Sequence, residues 1–181
     1  MKPKWSAVFI GAFLAAAAVT LGQNGAWTSS GDRQFINDFG STSLEIQKIS
    51  QMAQAQGADP QVKTLGQWLT KDYYQAAAQV AVNGQALGLG EAARMNSNAV
   101  REVRKLADLS GPVFDLAAVR ALLKCERMAT NQLTFEAENG GNLALRQSAT
   151  ILQLELTPAV VRTAQLDAQL NSQQSALLGS P

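Results

Sequence analysis

Four segments of the chain repeat buried-type residues at alternating intervals of four and three, and that rhythm leaves little choice of fold. Phe35, Phe39, Thr42, Ile46, Ile49 and Ala53 mark the first segment, over about Asp32 to Gln56. Val62, Leu65, Leu69, Asp72, Ala76 and Val80 mark the second, and Leu145, Ala149, Leu152, Leu156, Ala159, Thr163, Leu166 and Leu170 the last. Between them, Phe114, Ala118, Ala121, Cys125, Met128, Gln132 and Phe135 form one line, flanked by Val119, Leu122, Glu126, Ala129 and Leu133. Such spacing places one stripe on one face of a helix, and a single stripe must be buried against other helices.

The punctuation agrees. Gly57 closes the first helix, Asp59 and Pro60 open the second, and Gly88 to Gly90 stop it. Ser110 or Gly111 with Pro112 starts the third long helix, Asn139 to Gly141 end it, and Asn142 caps the fourth. Pro158 falls inside the fourth, where a kink near Leu154 is expected. A shorter element over about Ser97 to Leu109 has a charged, solvated face. The expected fold is all-α: an antiparallel four-helix bundle over residues 32–170, with the short helix in the crossover between long helices two and three. Residues 171–181 are expected to fray.

The first residues read differently. Lys2 and Lys4 precede an uncharged, Ala-rich run from Trp5 to Leu21, the layout of a secretory signal peptide over residues 1–26. Cleavage after Gly22 or after Ala26 is compatible with the sequence, residues 27–31 then forming a linker, and an uncleaved anchor is the alternative. Once the leader is removed, no membrane span is expected. The formal charge would move from +1 to −1 with the loss of the two lysines. With no basic stripe, nucleic-acid binding lacks its electrostatic drive. The single cysteine, Cys125, forms no internal disulfide and reads as a small buried hydrophobe.

The chain has no histidine. That removes Ser-His-Asp and Cys-His triads, His-held zinc or haem, and the Glu-x-x-His pairs of di-iron bundles. No nucleophile–base pair stands out, so a non-enzymatic role is expected. What remains for a site is one acid per long helix: Glu45, Asp72, Glu126 and Glu155. Asp72 and Glu126 interrupt apolar lines and are expected to face inward. If they converge, they suit an all-oxygen ion such as Mn²⁺, Mg²⁺, Ca²⁺ or Fe²⁺. The competing reading needs no cofactor: Glu45 and Glu155 are solvated flanking acids, and Asp72 pairs with an arginine such as Arg127 or Arg120. Trp68 sits beside the second stripe. As core it only fills space; exposed, it would anchor an unknown protein partner or a second copy.

Asp32 with Phe35, Glu45, Ala53, Val62 with Lys63, Asp72, and Gly111 with Phe114 and Asp115 form a set that resembles an exported bacterial family, the domain of unknown function four-one-four-two, whose members carry the label of outer-membrane protein. The likeness spans about Gly31 to Leu170. It implies a ferritin-like bundle in the periplasm or outer envelope, structural or stress-related, with no assigned enzyme activity. The chain departs from the family where histidines stand. The family's Asp-His in helix two is Asp72-Tyr73 here, and a later family histidine is replaced by Glu126.

Overall fold

The computed structural model describes residues 28–89 and 93–178. The expected leader over 1–26, and Gly90 of the glycine stop, lie outside them. Five helices follow in order: α1 (Ser30–Gln56), α2 (Pro60–Ala86), α3 (Ser97–Ala107), α4 (Gly111–Asn139) and α5 (Leu143–Leu178). No strand occurs among the described residues. The four long helices contact in a closed ring, α1 on α2 and α4, α5 on α4 and α2, and α3 lies across α1 and α4. Among the described residues, no helix is long and apolar enough to cross a membrane.

The ends of the helices follow the sequence closely. Ser29 and Asp32 form a reciprocal capping box on α1: the Asp32 N–H donates to Ser29 Oγ at 3.0 Å, and the Ser29 N–H to Asp32 Oδ2 at 2.6 Å. Asp59 caps α2 through the Gln61 N–H at 2.7 Å, with Pro60 in the first turn. Asn142 accepts the N–H groups of Ala144 and Leu145. Ser110 occupies the cap of α4 without a side-chain bond, and Gly111 beside it takes a left-handed φ of 60°, a conformation that favours glycine.

Two buried aspartates hold the tight turns. Asp115, in the first turns of α4, accepts the N–H groups of Ala58 (2.9 Å) and Asp59 (2.7 Å) between α1 and α2. Asp32, in the first turn of α1, accepts those of Gly141 (2.8 Å) and Asn142 (3.3 Å) between α4 and α5. The two arrangements correspond residue for residue: Gly57, Ala58 and Asp59 match Gly140, Gly141 and Asn142, and each leading glycine donates its N–H to the carbonyl four residues back. Neither glycine tolerates a side chain, because a Cβ would lie 2.6 Å from the Ala53 or the Glu136 carbonyl oxygen.

The stripes of α1 and α5 are buried as expected. Those of α2 and α4 require correction. On α2 the buried line is Val62, Leu65, Leu69, Tyr73, Ala76, Val80 and Gly84. The expected seam position at Asp72 is taken by Tyr73, fully buried, while Asp72 is only partly covered. On α4 the line passes through Phe114, Ala118, Leu122, Cys125, Ala129, Leu133 and Glu136, leaving Met128 and Phe135 exposed. Trp68, expected in the core, is 49% exposed. α5 runs unbroken through Pro158 and continues to Leu178, past the expected end at Leu170.

Asp115→Ala strands two partly covered N–H groups, so urea denaturation should show a loss of about 2 kcal/mol. Asp115→Asn, which keeps one acceptor oxygen, should lose less. A loss for Asp115→Ala within experimental error would mean that water serves the turn equally well.

Candidate functional site

The acids on the four long helices do not gather at one point. Glu45 on α1 is buried beside Cys125. Burial raises its pKa, the Cys125 thiol and Lys124 oppose the rise, and Glu102 adds to it. The thiol is itself pushed up to about 12, first by burial and then by Glu45. Cys125 is therefore a protonated, buried group and not a reactive thiolate.

Asp72 stands at the edge between α2 and α5. Its partner is Arg162 on α5, with Arg162 Nη2 3.7 Å from Asp72 Oδ2. Neither expected arginine serves it: Arg120 pairs with Asp167 at 3.5 Å, and Arg127 is exposed. Glu155 is exposed and shares with Asp72 the lining of a 270 Å³ cavity between the same two helices. Glu126 lies deeper, fully buried, near enough to Asp72 and Arg162 to feel both charges. Asp72 thus neighbours both Glu126 and Glu155, whereas Glu45 sits apart against Cys125. Among the described residues, no three Cys, Asp or Glu side chains come together in a group that could hold a metal ion.

Glu126 is the unusual member. Its carboxyl is pushed up to about 7 by burial, with Asp72 adding and Thr163 and Arg162 opposing. The Thr163 hydroxyl is close, but it already donates its proton to the Ala159 carbonyl at 3.1 Å. Neither Glu126 oxygen meets a partner in hydrogen-bonding geometry, and the buried Tyr73 hydroxyl is equally unpartnered. Burial also raises the Tyr73 phenol strongly, with Glu126 contributing. A neutral Glu126 is the physically reasonable state, since an unpaired carboxylate in this core would be very costly.

Sequence reasoning missed a second pair. Glu136, at the end of α4, is buried against Asp32 and is pushed up to about 7, by burial first and then by the Asp32 charge and hydrogen bond; Arg146 opposes. Burial alone would raise Asp32 too, but the bonds it receives from Ser29, Gly141 and Asn142 outweigh burial and hold it below its usual value. A protonated Glu136 facing an ionised Asp32 is the result. The available signal was an acid four residues before the glycine that ends α4, where the helix dipole disfavours negative charge.

The profile of a domain of unknown function, DUF4142, matches residues 17–158, and the chain belongs to that family. No curated protein matches, and neither does any solved structure. The family match ends at Pro158, so Arg162 and Thr163, which flank Asp72 and Glu126, lie beyond it.

Both raised carboxyls bind a proton more tightly folded than unfolded. Their stabilising contribution is complete below about 4.5, their ordinary value, and is lost as pH rises through about 7. Urea stability should therefore fall between these limits. Glu126→Gln should match the parent near the lower limit and exceed it at pH 8, by up to about 3 kcal/mol for a shift of this size. A parent stability that rises across the window would contradict the neutral assignment of Glu126.

Proposed function

We propose that the protein is an exported module of the periplasm or outer envelope that works through its surface and not through catalysis, built as an antiparallel, ferritin-like four-helix bundle with α3 inserted in the crossover. The three-residue connections between α1 and α2, and between α4 and α5, favour antiparallel neighbours. The basic, apolar and small-residue order of residues 1–26 supports export.

The observation that carries the reading is the use made of the acids. Asp32 and Asp115 hold turns, Asp72 is balanced by Arg162, and Glu126 and Glu136 favour their protons. The polar interior thus serves folding. The outer side of α5 carries the apolar surface instead: Leu143, Ile151, Leu154 and Val161 are exposed, Leu154 by 72%, on the side away from the buried stripe. This stripe is about 27 Å long at 1.5 Å per residue. A second copy of the chain is the occupant it fits, because an apolar stripe is complementary to itself in a two-fold pairing.

Light scattering on the purified protein should give a dimer at tens of micromolar, and Ile151→Glu with Leu154→Glu should give a folded monomer. In a bacterial host the product should fractionate with the envelope. A monomeric parent would remove self-association, and a cytoplasmic product would remove the export assignment.

The second reading, a carboxylate-held Mn²⁺, Fe²⁺, Mg²⁺ or Ca²⁺, draws on the unpartnered oxygens of Glu126 beside Asp72. It requires Asp72 to leave Arg162 and Glu126 to lose its proton. Thermal melts of protein purified without chelator should be unmoved by EDTA or by added metal; a melting temperature raised by metal and lowered in Asp72→Asn would favour the metal instead.

A further inference from the structure

Near the α1–α2 turn, α2 and α5 separate enough to leave a groove of 340 Å³. Leu65 and Leu166 line its apolar part, Trp68 is one wall, and Gln165 and Gln169 stand among its neutral polar residues. The volume lies at the small end of the range for ligand sites, and an apolar lining with few polar groups is their usual make-up.

Among the described residues, Arg162 is the one charged residue lining the groove. Its guanidinium carbon lies 5.1 Å from the centroid of the Trp68 ring, a stacking distance that fixes the head of an otherwise mobile side chain. The Asp72 oxygen at 3.7 Å is too far for a hydrogen bond. Among the described residues, none of the Arg162 N–H groups has a hydrogen-bond acceptor. The groove therefore presents a positioned cation, with free forked donors, at the side of an apolar pocket. A carboxylate matches that fork in a bidentate way, and an attached hydrocarbon chain would cover the apolar wall.

We propose that the groove between α2 and α5 binds a small amphiphilic monocarboxylate of the fatty-acid class, with the carboxylate on Arg162 and the chain against Trp68, Leu65 and Leu166. Selectivity comes from the forked donors, because Asp72 beside Arg162 leaves the pair without net charge. Asp72 is a competitor for Arg162, so its removal should help the ligand.

The test is calorimetric titration of the purified protein with decanoate, below its micellar concentration and at pH 6, where Glu126 near Arg162 keeps its proton, with decanol as the uncharged control. Saturable one-to-one binding is expected, at least tenfold weaker for decanol and for Arg162→Gln. Trp68→Ala should weaken it as well, and Asp72→Asn should strengthen it several-fold. Both Trp68 and Arg162 are exposed, so these variants should fold, which circular dichroism will check. The proposal fails if decanoate does not saturate, if decanol binds equally well, or if folded Arg162→Gln binds like the parent. Association with lipid vesicles in the absence of decanoate binding would also overturn it.

Discussion

A backbone N–H covered by protein must find an acceptor, and in this bundle the demand is sharpest at the two three-residue turns. Each turn partly covers donors that neither adjoining helix serves. A single carboxylate, with two oxygens and no proton of its own, meets two of them at once. Asp115 and Asp32 do this at opposite turns. These bonds tie the start of α4 to the α1–α2 turn and the start of α1 to the α4–α5 turn. Asp32 also completes the cap of α1, so one carboxylate serves three backbone N–H groups on two chain segments. The same concentration of bonds keeps it ionised while Glu136 beside it holds a proton.

Most of the fold was legible because helix signals are local. The caps at Asp59 and Asn142, the glycine stops and the stripes of α1 and α5 all stand in the sequence as they stand in the structure. The errors on α2 and α4 share one cause. A strict alternation of four and three has a period of 3.5, whereas a straight helix has 3.6 and drifts off such a stripe by about 20° in each heptad. The buried lines of both helices repeat over eleven residues: Val62, Tyr73 and Gly84 on one, Phe114, Cys125 and Glu136 on the other. Extending the alternation one step too far turned Asp72 inward and Met128 and Phe135 with it.

The site was less legible, and the reason is geometric. The sequence identifies which residues are acids, but the group that balances each one comes from another helix. Asp72 meets Arg162, ninety residues on, because of how α2 lies on α5. Asp115 was visible only as part of a family motif, and its role depends on a turn more than fifty residues earlier. Glu126 was correctly turned inward because it interrupts an apolar line. Its raised pKa was not foreseen, since that depends on how completely the packed helices bury it.

The two turn-holding aspartates are also reciprocal. The carboxylate that completes the α4–α5 turn belongs to α1, and the one that completes the α1–α2 turn belongs to α4. Neither helix pair can finish its own loop, so each half is a template for the other and the chain should lose its structure as one cooperative unit. Two neighbouring molecules could also satisfy the same bonds by trading halves through the α2–α4 connection. The same lock is equally a recipe for a domain-swapped pair, in which the four turn-holding bonds form between chains instead of within one.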